Sequence, residues 1–177
     1  LEVDYDCKTG ECDATGEVTI QDKALKTLSG GDTLMLRKST AMLKVEKNEL
    51  KSVSGIVNLA LRDGKTKKDY LAFKTEGEFD CIDTTSFTGD VSVTILQEKK
   101  LAGNDANFAL YMTPAGESGI KTHIEDNQVT EMTGEIGFKT VYKGKPYFGG
   151  SVNGSYTAEE GAVTGDAKIE LLSDIEL

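Results

Sequence analysis

The chain has 177 residues, 30 acidic against 20 basic side chains, a formal net charge of -10, 19 glycines, two prolines and no tryptophan, which suits one ordinary globular domain. Leu, Ile, Val and Phe make up 42 residues, enough apolar surface to offset the entropy of ordering the chain, so wholesale disorder is excluded. With a pI near 4.7 and no extended basic stripe, nucleic acid and anionic membrane are not expected partners, because such binding draws its affinity from neutralised phosphates.

Residues 1–14 read as an acidic segment ahead of the main domain. The segment lacks the basic-then-apolar pattern of a signal peptide, and no apolar run is long enough for a spanning helix, so no transmembrane segment is expected and the chain reads as mature or trimmed. Cys7 and Cys12 flank a short polar loop containing Gly10, a spacing that suits a local disulfide and lacks the second pair of a structural zinc site. That bridge implies an oxidising compartment, namely periplasm, cell surface or medium. Cys81 lies in phase with Phe79 and is expected as a buried thiol, with a bridge to the N-terminal loop as the alternative. The series starting at Asp4 begins like a calcium loop, but Lys8 and Thr15 stand where ligands belong, and no metal is expected.

Thr15 to Ile20 opens the main domain, expected over 15–177, as a strand. Asp22 to Leu28 suits two helical turns or a turn between strands, ended by Ser29-Gly30-Gly31. Two-residue alternation marks half-buried strands at Val57–Leu61, Val91–Ile95, Phe108–Met112 and Ala167–Leu171. Between them stand turn signals such as Asp63-Gly64, Glu125-Asp126-Asn127-Gln128, Lys143-Gly144-Lys145-Pro146 and Glu159-Glu160-Gly161. Short connections of this kind make antiparallel neighbours, so the class is all-β.

Thr15-Gly16-Glu17-Val18 recurs as Thr88-Gly89-Asp90-Val91 and as Thr164-Gly165-Asp166-Ala167, at separations of 73 and 76 residues. Val45 to Gly55 lines up with Ile124 to Gly134 at a constant offset of 79. Two repeat units are therefore expected, 15–87 and 88–163, with 164–173 as a closing strand. Units of about 75 residues are too long for solenoid turns, and closure removes exposed edges, so the expected fold is an antiparallel barrel of eight to ten strands. A two-sheet sandwich is the alternative.

Little in the chain carries chemistry. His123, the sole histidine, precedes Glu125 and Asp126, but no nucleophile, second histidine or Gly-x-Ser-x-Gly elbow accompanies it. Gly30-Gly31 and Gly149-Gly150 lack the context of phosphate loops, and Asn153-Gly154-Ser155 is a formal glycosylation sequon. Arg62, Lys65, Lys67 and Lys68, with Lys99 and Lys100, read as a solvated hairpin end. No cofactor and no enzyme activity is expected; a carboxylate-based enzyme is the third reading. The candidate binding residues are Tyr142, Lys143, Lys145, Tyr147, Phe148 and Tyr156, because tyrosine at a loop rim offers contact area at low entropy cost.

The order strand, Lys26-Thr27-Leu28-Ser29-Gly30 turn, strand (Val18 to Ile20, then Leu34 to Leu36), loosely repeated after Val91, resembles the β-barrel modules of Gram-negative surface lipoproteins that capture host proteins. The resemblance covers two hairpins and transfers no functional residue. The expected function is that of a monomeric, extracytoplasmic binding protein meeting a protein or glycan through loops at one barrel end. A carrier with a small apolar ligand inside the barrel is the alternative, although the tryptophan and signatures of lipocalin-like or avidin-like carriers are missing.

Overall fold

The structure is a computed structural model and describes residues 2–6, 10–81, 86–116 and 119–173. Among the described residues regular structure is entirely β: β1 (Glu2–Asp6), β2 (Glu11–Ile20), β3 (Lys23–Thr27), β4 (Thr33–Glu46), β5 (Glu49–Arg62), β6 (Asp69–Asp80), β7 (Ser86–Ile95), β8 (Lys99–Asn104), β9 (Phe108–Thr113), β10 (Gly119–Glu125), β11 (Gln128–Tyr142), β12 (Lys145–Thr157) and β13 (Ala162–Leu171). No helix long and apolar enough to cross a membrane is present among them.

All thirteen strands belong to one sheet whose main path is β1-β2-β4-β5-β6-β7-β10-β11-β12-β13. Pairing follows chain order because the connections are tight. Lys47-Asn48, Asp126-Asn127 and Lys143-Gly144 each place two successive residues at positive φ, between 47° and 80°, the two-residue hairpin geometry whose twist matches that of the flanking strands. The remaining strands are continuations. Beyond Gln21-Asp22, β3 extends β2 along the same edge of β4. In the second half β7 pairs β10 and β8 pairs β9, and β9 and β10 share one edge of β11.

Several expectations are corrected by this topology. Asp22 to Leu28 is neither helix nor turn; it contains β3, held extended by the first half of β4. The segment 1–14 supplies β1 and the start of β2 to the same sheet. The sheet is not closed: the strand expected to seal it, within 164–173, is β13, which pairs with β12. The edge of β2 that it would need is taken by β1. A two-sheet sandwich is also absent, since every described strand is bonded into one sheet.

The surface area reflects this openness. A compact monomer of 19.1 kDa exposes about 8,400 Å², whereas this chain exposes 11792 Å². The buried apolar core is correspondingly short: Met35, Ala60, Phe87, Ile95, Ala109 and Val141. Cys81 is half-buried just beyond β6, with its Sγ 3.8 Å from the Phe79 carbonyl, and Cys12 is half-buried across from Tyr5. Both are free thiols, and Cys7 lies outside the described residues.

Candidate functional site

The β3–β4, β5–β6, β8–β9 and β11–β12 turns lie at one end of the sheet, and side chains tie the first two to the start of β8. Lys99, at the start of β8, reaches Asp32 in the β3–β4 turn at 2.9 Å and Asp63 in the β5–β6 turn, and its ammonium lies 4.4 Å from the centre of the Tyr70 ring. Asp32 also accepts the Tyr70 hydroxyl and the Gly64 N–H, each at 3.0 Å. Beside this knot Asp69 accepts from Arg37 and, at 3.0 Å, from Arg62, while Arg37 also meets Asp22 at 2.7 Å.

The electrostatics follow from these contacts. Burial opposes ionisation of Asp32 and Asp69, but the hydrogen bonds to Asp32 from Lys99, Gly64 and Tyr70, and those to Asp69 from Arg37 and Arg62, outweigh it, so both carboxyls sit below the ordinary range. Asp63 is held far below it, chiefly by Lys99. These groups are mutually satisfied. Their arrangement ties the two turns to the start of β8. Arg62 and Lys99 are thereby corrected from solvated hairpin residues to members of a half-buried ion-pair network.

The fourth turn carries the aromatic residues. Lys143-Gly144 is a tight turn, so Tyr142 and Lys145 stand directly opposite one another, and Phe108 of β9 pairs with Tyr142 from the other side. The pairing of β11 and β12 shifts between Lys139 and Val141, which sets Tyr147 and Phe148 against the single residue Thr140, whose Oγ1 accepts the Phe148 N–H at 3.0 Å. The rings cluster as a result: Tyr142 and Tyr147 at 5.9 Å, Tyr147 and Phe148 edge-to-face at 4.4 Å, with the Lys143 ammonium 5.2 Å from the Tyr142 ring centre. Phe108 is 53% exposed and Tyr142 46%.

Tyr142, Lys143, Lys145, Tyr147 and Phe148 are therefore brought together, and Tyr156 is not. It pairs with Met132 and Val163, nine residues along β12 from Tyr147, or about 30 Å at strand rise. Phe108 was missed because its neighbour Tyr142 is 34 positions away in sequence.

Register also separates the sheet into two unlike faces. On one, Gly55, Gly77 and Gly89 are directly opposed across β5, β6 and β7, and Gly134, Gly154 and Gly165 across β11, β12 and β13. Apolar rows flank each glycine row: Val53, Phe79 and Phe87 beside the first, and Met132, Tyr156 and Val163 beside the second. The first trough is filled, since the buried Phe87 ring leans over Gly77 and packs on Phe79 at 4.7 Å. The second is an open groove of about 470 Å³, lined by Ile120, Met132, Ile136, Val152 and Val163 around its glycines.

The opposite face is charged, with Lys74, Glu76, Asp90, Lys121, His123 and Glu131 lining a shallow depression. His123 Nδ1 meets Asp90 at 2.8 Å, and its Nε2 is 3.6 Å from Glu125. The orienting carboxylate is thus Asp90 from the neighbouring strand. Its hydrogen bond holds the imidazole above the ordinary value of 6.5. A raised folded-state pKa means that this pair contributes stability fully below the unfolded value and loses it as pH rises through the folded one. An NMR titration of the single imidazole is expected to show a midpoint above 6.5 that Asp90→Asn returns toward it; a midpoint indifferent to that substitution rejects the pairing.

Among the described residues no cluster of His, Cys, Asp and Glu has the arrangement of a metal site. No protein-family model, curated protein or solved structure matches the chain.

Proposed function

We propose that this chain is a non-enzymatic, extracytoplasmic binding module that meets a protein partner through the aromatic hairpin end around Tyr142. The observation that carries the reading is the ring cluster of Tyr142, Tyr147 and Phe148 on a tight turn, with Phe108 paired beside Tyr142; Phe108, Tyr142 and Phe148 are exposed, Tyr147 is half-buried, and Lys143 and Lys145 edge the group. Aromatic side chains fixed on a rigid support give up little entropy when covered, which is the character of interface hot spots. The ion-pair knot lies at the same end of the sheet. A two-unit organisation, 15–87 and 88–163, belongs to the same reading. It is supported by the matched pairings β2 with β4 and β7 with β10, β3 with β4 and β8 with β9, and by the two glycine rows.

The test uses a displayed peptide library selected on the immobilised chain. Selected peptides are expected to bind Tyr142→Ala or Tyr147→Ala about thirtyfold more weakly, the effect of losing a hot-spot ring, and to bind Tyr156→Ala unchanged. Peptides that ignore both tyrosines defeat the proposed site.

A second reading, a carrier of a small apolar ligand, is favoured by the open groove over Gly154, although a sheet with two edges offers no enclosed interior. An added Cβ at Gly154 meets only the Thr164 carbonyl, at 3.4 Å, so Gly154→Leu places its side chain in the groove. Under the carrier reading it abolishes binding of the apolar dye anilinonaphthalene sulfonate; under the hairpin reading it leaves peptide binding intact.

A further inference from the structure

We infer that β13 is an interface strand, and that it pairs antiparallel with β13 of a second copy of this chain about a two-fold axis at Ala167. All ten residues of β13 are exposed, and among the described residues it pairs with β12 alone. The Asp166 N–H donates to Asn153 Oδ1 on β12, so the even-numbered backbone groups turn inward and those of Val163, Gly165, Ala167, Ile169 and Leu171 face the open edge. The same odd-numbered residues carry the apolar side chains, with Val163 71%, Ile169 67% and Leu171 50% exposed. Edges are usually blunted by proline, a bulge or repeated lysines; β13 has neither proline nor bulge and carries a single lysine, Lys168.

The strand is self-complementary in one register. With Ala167 opposite Ala167 of the second copy, Asp166 faces Lys168, Gly165 faces Ile169 and Val163 faces Leu171, each pair occurring twice. The outward backbone groups then meet one another. Sliding by two residues either way sets Asp166 against Asp166 or Lys168 against Lys168, like charges directly opposed, which destabilises a strand pair. A symmetric pair of this kind closes on itself and cannot grow.

The molecule already contains this arrangement once. β7, which shares the Thr-Gly-Asp start of β13, has its corresponding edge covered by β10, where Gly89 lies opposite Ile124 and Asp90 opposite His123, joined at 2.8 Å. The proposed pair repeats that chemistry, with Ile169 of the second copy set against Gly165 and Lys168 of the second copy against Asp166. It also brings an isoleucine to the rim of the open groove, where Val163 and Gly165 are lining residues.

The test is sedimentation velocity over a concentration series rising to about 1 mM, reading one chain mass of 19.1 kDa against two. The intact chain is expected to pass from one mass to two. Asp166→Lys and Lys168→Asp alone are each expected to weaken association about tenfold or more, through two repulsive pairs, and the double variant carrying both is expected to regain it. Ile169→Lys, at a side chain two-thirds exposed, weakens association without touching the core, and far-UV circular dichroism confirms that each variant folds. A single-chain mass throughout, growth beyond two chains, association unaffected by Ile169→Lys, or a double variant that stays single overturns the inference.

Discussion

Gly77→Ala is expected to destabilise the fold by about 3 kcal/mol, while Gly154→Ala, in the corresponding strand of the second trough, is expected to be neutral or to stabilise by about 0.5 kcal/mol. The difference is steric. A Cβ on Gly77 meets the Thr88 carbonyl at 2.3 Å, the Phe87 ring at 2.7 Å and Gly89 Cα at 2.8 Å, two of them backbone atoms of a neighbouring strand that is itself paired on both edges. Gly154 faces open groove. Urea unfolding of both variants checks this, and equal midpoints would mean that the first trough is not closed by Phe87. The contrast also bears on function, because matching rows of glycines support a packed trough in one half of the sheet and an empty one in the other.

Lys99→Met is expected to cost about 2 kcal/mol, below the roughly 3–5 kcal/mol of stranding a fully buried partner, because both carboxylates keep some contact with water. Asp32 and Asp63 would be left facing one another around an uncharged side chain; their side chains are only 18% exposed. The pH dependence gives a sharper signature. Asp32, Asp63 and Asp69 all have folded-state pKa values below the ordinary 3.8, so their contribution is present above that value and is lost as pH falls through the folded ones. The intact chain therefore loses stability on acidification below about pH 4, and Lys99→Met flattens that slope while leaving the Asp69 share held by Arg37 and Arg62. Thermal denaturation from pH 2 to 7 reads both effects. A variant with unchanged acid slope would show that the knot is not coupled to folding.

Local pattern was enough to read the all-β class, the alternating strands and several tight turns, but not β1 or β3, because residues 1–14 read as an acidic segment and Asp22 to Leu28 as helix or turn. Val91–Ile95, Phe108–Met112 and Ala167–Leu171 all lie in strands of the structure, but the half-buried setting expected of Ala167–Leu171 is not found, since every residue of β13 is exposed beside β12. Lys143-Gly144 is legible as a turn because positive φ at two successive positions suits few residue pairs. The recurrence of Thr-Gly-Asp is likewise visible in the chain, and it marks β7 and β13, whose glycines lie in the two rows.

Closure was not legible, because it depends on which edge each strand finds free. Nothing local to Glu2–Asp6 says that it will occupy the edge of β2, yet that pairing is what leaves β13 exposed and the sheet open. The ion-pair knot was hidden for the same reason: Asp32, Asp63 and Lys99 are tens of residues apart and only the stacked turns bring them within reach of one another. The site divides along this line. Tyr142, Lys143, Lys145, Tyr147 and Phe148 are neighbours along one hairpin and could be read together, whereas the exclusion of Tyr156 and the arrival of Phe108 follow from strand length and register. By itself the sequence determined the all-β class, the alternating strands, several tight turns and an acidic chain; the tertiary structure decided which edges, faces and charges meet, because those are set by long-range pairing that no short stretch of residues encodes.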